Sequence, residues 1–300
     1  MEPAGGACRL HDLLRKLMNF QIEIGGIRFS FDSDDEILVD ESLSPFFCTS
    51  KKVSGVNISI SRSAGEICPP ETAMRGEDLL LEYYDLEGSV LCLAKGSSGR
   101  YLASTVCSPD FSRMECRLSL HPEASMHTLG TILRMLPIRT VLQRRGVLFF
   151  HASQVAADGK GILFTAPSGT GKTTQAKLWR DFRGARMICN DRTLIRSGMT
   201  YGYPVDGSEP VISGEVHPLA AVVLLEQAPE NRVRRLRVKE VLTKLMPQLV
   251  IDTWDPNARA LASQQLLELM GGYPVYLLGC TPDEAAVSAL EQQLRMDGVL

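Results

Sequence analysis

The segment 166–173, with the sequence APSGTGKT, constrains the fold of this 300-residue chain more than any other. It matches the pattern G-x-x-x-x-G-K-[ST] of phosphate-binding loops, except that alanine replaces the first glycine. An apolar run at 161–165 precedes the segment, and a helical pattern begins near Lys172. A strand that turns directly into a helix presents unpaired N–H groups and a positive dipole end to the turn. The segment therefore predicts an α/β fold with a nucleotide-binding P-loop (Walker A) unit.

Each residue type in this loop has a physical reason. Gly169 and Gly171 let the backbone approach an anion without a Cβ in the way. The Lys172 ammonium can reach the β- and γ-phosphates of ATP, and the Thr173 hydroxyl can coordinate Mg²⁺. No N-K-x-D guanine signature is present, so ATP is the expected nucleotide. The predicted nucleotide-binding residues are Ala166, Pro167, Ser168, Gly169, Thr170, Gly171, Lys172, Thr173 and Thr174.

A carboxylate must complete the site, either to hold Mg²⁺ or to accept a proton. Asp191 and Glu226 each follow an apolar strand pattern. Asp191 lies 19 residues after Lys172, which is the span of one helix and one returning strand. That connection would bring it beside the loop at the carboxyl end of its strand. Glu226 precedes an exposed turn, so an ordinary surface carboxylate is the alternative for it. We therefore expect Asp191, with Thr173, to bind the metal.

The segment HASQVAADGKGILFTAPSGTGKTT and the following ICNDR resemble the catalytic half of HPr serine kinase/phosphorylase and its smaller bacterial relatives. The resemblance covers about 146–226 and is vaguer in PVYLLGCTPDEAAVSAL. Members of that family carry a histidine 15 residues before the loop, which His151 matches. They also carry an acidic pair, one Asp as base and one supporting Mg²⁺. Asn190 replaces the first of the pair here, and Asp191 matches the second. The nucleotide module is shared with ATP-type phosphoenolpyruvate carboxykinase.

The resemblance implies an ATP-dependent kinase (a transferase) that phosphorylates a serine of a peptide or protein. Its catalytic residues would be Asp191, Lys172 and His151. Arg192, which flanks the acidic strand, is a further candidate phosphate contact, and a surface salt bridge is the alternative for it. Asn190 leaves two possibilities open, because either Asp191 serves both acidic roles or transfer is weak. The alternative functions are an ATP-binding regulatory or partner protein and an ATPase with little phosphotransfer activity. The resemblance also implies a homo-oligomer, since HPr kinases form rings of subunits.

The rest of the chain predicts two parts. Residues 1–122 read as a β-rich N-terminal lobe, with an alternating run broken at Gly25–Gly26 in FQIEIGGIRFSF and a hairpin around 96–99. Residues 123–300 read as the kinase-like domain, a mixed sheet with flanking helices of the HPr kinase type. Its expected parts are a helix at 123–145 that Pro137 kinks or divides, the core at 146–226 and a helical part at 238–296. The glycine- and proline-rich segment 201–214 is either a lid or substrate platform, or an ordinary connection.

Composition limits the partners. The net charge of −3 argues against nucleic acid, and no apolar run has the length of a membrane helix. The N-terminus has charges within its only apolar stretch and is unlike a signal peptide. The eight cysteines are scattered, which indicates reduced thiols in a cytoplasmic protein rather than zinc ligands or disulfides. Because the motifs show no enclosing pocket for a small metabolite, we expect the acceptor serine to lie on an extended peptide.

Overall fold

Two large β-sheets organise the chain, whose computed structural model describes residues 14–48, 55–78, 80–121, 128–205 and 211–300. Strands β1 to β8 form the first sheet and β9 to β16 the second, with six α-helices among the described residues. The fold is therefore mixed α/β, with large mixed sheets, as the sequence predicts.

The first sheet has the strand order β1-β2-β3-β8-β7-β6-β5-β4. Neighbouring strands are antiparallel except for β2–β3 and β3–β8, which are parallel. Gly25 and Gly26 make the β1–β2 turn with φ of 59° and 71°, where residues with a Cβ would be strained. The hairpin predicted around 96–99 is confirmed as β6–β7, and β1–β2 is a further hairpin of this sheet. The strands are β1 (Leu14–Ile24), β2 (Ile27–Asp40), β3 (Val56–Arg62), β4 (Met74–Asp78), β5 (Leu81–Leu86), β6 (Ser89–Lys95), β7 (Tyr101–Cys107) and β8 (Arg113–Leu118).

The second sheet has the order β10-β9-β12-β13-β14-β16-β15, with β11 paired to β9. Strand β10 also pairs with β14, in parallel, so that five strands close a ring. The ring brings the carboxyl end of β10 next to that of β14. The strands are β9 (Leu148–Ala157), β10 (Lys160–Thr165), β11 (Arg186–Cys189), β12 (Arg192–Arg196), β13 (Met199–Gly202), β14 (Val216–Gln227), β15 (Arg232–Arg235) and β16 (Val275–Cys280).

Apolar residues cover both faces of the second sheet. Val222 and Leu224 of β14 belong to the core under helices α4 and α5, whereas Val223 and Leu225 belong to the core under α3 and α6. A strand buried on both faces needs a continuous apolar run, which explains the sequence LAAVVLL. A third core joins the first sheet to α1, α2 and part of β9. The helices are α1 (Leu129–Met135), α2 (Ile138–Arg144), α3 (Lys172–Arg183), α4 (Val238–Leu245), α5 (Ala258–Gly272) and α6 (Glu284–Met296).

One helical expectation is confirmed and one needs correction. The helix expected at 123–145 is divided at Pro137, as predicted: Leu136 is extended and Pro137 is the N-cap of α2, while residues 123–127 lie outside the described part. The part 238–296 is not wholly helical, since it contains the strand β16. A six-residue apolar run such as VYLLGC does not distinguish a buried strand from a helix by periodicity, and the pairing of β16 with β14 and β15 decides the matter.

The seven cysteines in the described ranges form no disulfide. Three of them, Cys92, Cys107 and Cys116, are buried in the first sheet. Burial raises the pKa of Cys107 to about 12 and that of Cys116 to about 11, so these side chains stay protonated. In the ranges that the structure covers, no helix combines the length and apolar character needed to cross a membrane.

Candidate functional site

The loop 166–171 connects β10 to α3 and is open on its outer side. Gly169 has φ 78° and Gly171 φ 114°, and a Cβ built on either would meet no atom within 4 Å. Gly171 is the N-cap of α3, without a side-chain hydrogen bond to the first N–H groups of the helix. Ala166 is fully buried in the core under α3, so its methyl group packs where the common pattern has glycine. The loop therefore has glycine at the two positions with a positive φ, and alanine at its first position, where the side chain is buried.

Lys172 begins α3 and turns its side chain back over the loop. Its ammonium donates hydrogen bonds to the carbonyls of Ala166, at 2.9 Å, and Pro167, at 3.4 Å. Burial lowers its pKa below the ordinary value, while the nearby Asp191 carboxylate opposes that effect. Lys172 and Asp191 are therefore close enough to interact electrostatically across the loop. Thr173, partly buried, and Thr174, exposed, follow in the first turn of α3.

Asp191 lies in the bend between β11 and β12 and is held by His151 of β9. His151 Nδ1 lies 3.0 Å from Asp191 Oδ1 and 3.2 Å from the Asp191 carbonyl oxygen. Both oxygens only accept hydrogen bonds when the carboxyl is ionised, so Nδ1 carries the proton. The hydrogen bond from His151, helped by Arg192, holds the pKa of Asp191 below its ordinary value of 3.8 in spite of partial burial. The carboxylate is therefore ionised at neutral pH.

The backbone around Asp191 is fixed to β9. The Ala152 N–H donates to the Asp191 carbonyl at 3.0 Å, and the Ser153 hydroxyl donates to the Asn190 carbonyl at 2.7 Å. The Asn190 side-chain oxygen also lies 3.3 Å from the Ser153 hydroxyl. Because Ser153 is fully buried, Asn190 is anchored on its inner side. Asn190, the residue before Asp191, is thus a hydrogen-bonded amide with a fixed position.

The structure brings together most of the residues expected from sequence. Lys172, Asp191, His151 and Arg192 converge, and Arg192 Nε lies 3.3 Å from Asp191 Oδ2. Glu226 also ends a strand, but it is exposed and has no hydrogen bond or ion pair with the loop among the described residues. The roles of these residues as nucleotide, metal or catalytic groups stay predictions.

Part of the segment 201–214 is not a loop. Its first two residues belong to β13, and Tyr203, Pro204 and Val205 are buried. Residues 206–210 lie outside the described part. The interpretation as a lid or platform stays a prediction for the remainder.

A cavity beside this site was not expected from the sequence. It has a volume of about 300 Å³, and its walls include Arg192, Phe149 and Tyr203. The sequence motifs gave no sign of this cavity, and the expectation of a peptide rather than a small metabolite as acceptor stays a prediction. The walls come from both sheets and from α1 and α2, so no short segment of the sequence could have predicted the cavity. Two of the lining residues, Tyr203 and Val205, lie within the segment 201–214, and Arg192 was a candidate phosphate contact.

Comparisons with known proteins give a family and one structural likeness. A family model described as "SynChlorMet cassette protein ScmC" matches residues 114–281. The solved structure of the HPr(Ser) kinase/phosphatase from Coxiella burnetii is 13% identical to this chain, with a TM-score of 0.30, over 50% of this chain and 97% of that one. No curated protein matches.

Proposed function

The chain belongs to the SynChlorMet cassette protein ScmC family, and we propose that it is a kinase that transfers the γ-phosphoryl group of ATP to a serine hydroxyl of a peptide or protein. The observation that carries the proposal is that Lys172, the open loop and the ionised Asp191 converge. Phosphoryl transfer requires mainly positioning and charge neutralisation, and these groups are of the kind that supply both.

The residues 166–174 fit the phosphates of ATP. The cation of Lys172 stands at the helix start, where its hydrogen bonds to two loop carbonyls can be exchanged for bonds to phosphate. The helix N-terminus adds unpaired N–H groups, and no atoms crowd Gly169 or Gly171. When bound, ATP supplies the phosphoryl group and Mg²⁺ neutralises part of the phosphate charge. Thr173 and Asp191 are the oxygen donors proposed to hold the metal ion.

Asp191 is the proposed proton acceptor for the serine hydroxyl. It is ionised, and His151 fixes one of its oxygens through the Nδ1 proton. His151 is thereby a positioning residue, which restrains the carboxylate without removing its charge. Arg192 restrains the other oxygen and is the second cation proposed to contact phosphate. A loose, metaphosphate-like transition state makes modest demands on the base, so one carboxylate is sufficient for this role.

Asn190 favours a second candidate function, an ATP-binding partner protein or ATPase with little transfer. The amide cannot accept a proton, and its contact with Ser153 holds it in a defined place. A water molecule in the acceptor position would then receive the phosphoryl group. The serine acceptor of the first proposal is what the resemblance of 146–226 to HPr serine kinase implies.

The test compares ATP binding and label transfer in wild type and Lys172→Ala. Removing the ammonium is expected to cost about 2–4 kcal/mol by analogy with losing one preorganised donor, or about 30- to 1,000-fold in turnover. Lys177→Ala is the matched control, an exposed lysine on the same helix, expected to change turnover by less than about twofold. Equal ATP affinity and turnover in wild type and Lys172→Ala would refute the nucleotide site.

The second half of the test follows the label. Wild type is incubated with γ-labelled ATP and serine-containing peptides, and then with the same peptides carrying alanine. Label that appears on the serine peptides and not on the alanine peptides supports the kinase activity. Label released only as free phosphate would contradict it and favour the ATPase.

A further inference from the structure

The cavity of about 300 Å³ lies where the first sheet meets β9, β12 and the residues after β13 of the second. One side is formed by β5 and the residues before it, the other by α1, α2 and the inner face of the second sheet. This volume is at the lower end for ligand pockets, which suits one large side chain or a comparably small group. The described lining residues are Asp78, Leu80, Leu81, Tyr83, Leu133, Arg134, Leu136, Pro137, Arg139, Phe149, Arg192, Tyr203 and Val205.

The cavity adjoins the candidate site directly. Arg192 lines the cavity and also contacts Asp191. Phe149, in the cavity wall, is two residues from His151 on β9, so both side chains are on the same face of the strand. Two residues of strand span about 7 Å. A ligand group in the cavity therefore lies close to the carboxylate of Asp191, which is the proposed proton acceptor.

The lining is mainly apolar, and its polar groups include four charged side chains and the Tyr203 hydroxyl. Tyr203 is only 7% exposed, packs edge-on against Phe149 and has no hydrogen-bond partner among the residues that the structure describes. Burial raises the pKa of Tyr203 above its ordinary value, so its hydroxyl is protonated and can donate a hydrogen bond. A hydroxyl in the wall of a cavity, without a partner among the described residues, is available to donate a hydrogen bond to a ligand oxygen.

The charges around the cavity favour an anionic ligand group. The guanidinium groups of Arg192, Arg139 and Arg134 all act on the Tyr203 hydroxyl. Arg139 is balanced by two carboxylates, of Asp78 and Asp252. Among the described residues, three arginines and only one carboxylate, of Asp78, line the cavity, and Arg134 is the exposed one of the three arginines.

We infer that this cavity is an acceptor subsite, which takes a large apolar side chain of the peptide, with an acidic residue next to it, near the serine to be phosphorylated. The inference rests on the proposed function. An extended peptide advances about 3.3 Å per residue, so the separation of about 7 Å places the apolar residue about two or three positions from the serine. The Tyr203 hydroxyl then donates to a peptide carbonyl, and Arg134 pairs with the neighbouring carboxylate.

The experiment uses an array of nonapeptides with a central serine, in which phenylalanine or alanine occupies each other position in turn, with and without an adjacent glutamate. Two signals are read from the same spots: bound labelled protein, and phosphate incorporated from γ-labelled ATP. Wild type is expected to bind phenylalanine peptides at the second or third position at least about tenfold better than alanine peptides. Adding the glutamate is expected to strengthen binding further.

Three variants assign the effect to the cavity. Leu80→Trp, at a wall position that is 49% exposed, fills the mouth and is expected to reduce the phenylalanine preference below about threefold. Leu267→Trp is the matched control, because that leucine is 45% exposed but lies on α5 away from the cavity, and it is expected to keep the preference. Tyr203→Phe removes only the hydroxyl and is expected to weaken the binding of phenylalanine and alanine peptides alike.

The outcomes separate the subsite from the kinase activity. Equal binding of phenylalanine and alanine peptides to wild type overturns the subsite, and so does a preference that survives Leu80→Trp. A selective binding pattern without incorporated phosphate supports the subsite and contradicts the proposed transfer. Phosphate incorporated without any such selectivity supports the kinase and overturns the subsite.

Discussion

Replacing Asp191 by asparagine tests the carboxylate with the least change of shape. Asparagine keeps one oxygen that can accept the proton of His151 Nδ1, now 3.0 Å from Oδ1. In that orientation the amide nitrogen replaces Oδ2, which is 3.3 Å from Arg192 Nε, so two donors face each other. One of the two side-chain restraints is therefore retained, one is lost, and the negative charge beside Lys172 is removed.

The expected loss of turnover follows from these changes. Losing a general base costs between about 100- and 10,000-fold. The lower end applies because a loose transition state depends little on the base, so we expect about 100-fold, or about 2.7 kcal/mol. ATP affinity is expected to change by less than about threefold, because Lys172 and the loop N–H groups remain in place.

Steady-state transfer from γ-labelled ATP and ATP binding by calorimetry are the two measurements. Glu226→Gln is the matched control, since it removes the charge of a strand-end carboxylate that is exposed and is expected to change turnover by less than about twofold. Unchanged turnover in Asp191→Asn would refute the reasoning. A larger defect in Glu226→Gln would show that the acidic residue had been assigned to the wrong strand.

Three further changes test the electrostatics, the packing and the missing acid. Burial lowers the pKa of Lys172 below 10.5, so ATP affinity is expected to be full below that lowered pKa and to fall as the pH rises through it. The measurement is ATP affinity as a function of pH, from pH 7 upward. A midpoint of the fall at or above pH 10.5 contradicts the prediction. Trp254→Ala removes a buried ring whose centroid lies 4.2 Å from that of Tyr83, and it is expected to lower the free energy of unfolding by about 3–5 kcal/mol in urea titrations. A loss below about 1 kcal/mol would contradict a role of this ring in packing. Asn190→Asp is expected to change transfer by less than about threefold if Asp191 is the base, and a tenfold gain would assign that role elsewhere.

The loop and its acid are predictable from sequence because they are close along the chain. Residues 161–191 form a strand, a turn, a helix and a returning strand, and each carries a short-range pattern. The spacing of Asp191 from Lys172 follows from that unit alone. The prediction that His151 belongs to the site depended on the family resemblance, because a histidine on a half-buried strand has no local sequence pattern that marks a site.

The ring of five strands and the cavity depend on distant pairings. Strand β10 pairs with β14, whose first residue lies more than 50 positions later, and nothing in either sequence specifies the partner. The cavity combines Leu81 with Phe149 and Tyr203, residues of different elements. Such contacts are set by how apolar faces cover one another, whereas motifs report only local geometry.

A single strand sets the distance between the acidic site and the cavity. Along one face of β9, Phe149 meets the cavity, His151 meets Asp191 and Ser153 holds Asn190. Backbone pairing with β12 fixes this order, with His151 opposite Arg192. A shift of one residue would turn all three side chains to the other face, which is buried under α5, so the register is strongly specified. The spacing between the proton acceptor and the subsite is therefore rigid, and an acceptor peptide must match it through the separation of its serine and its apolar residue.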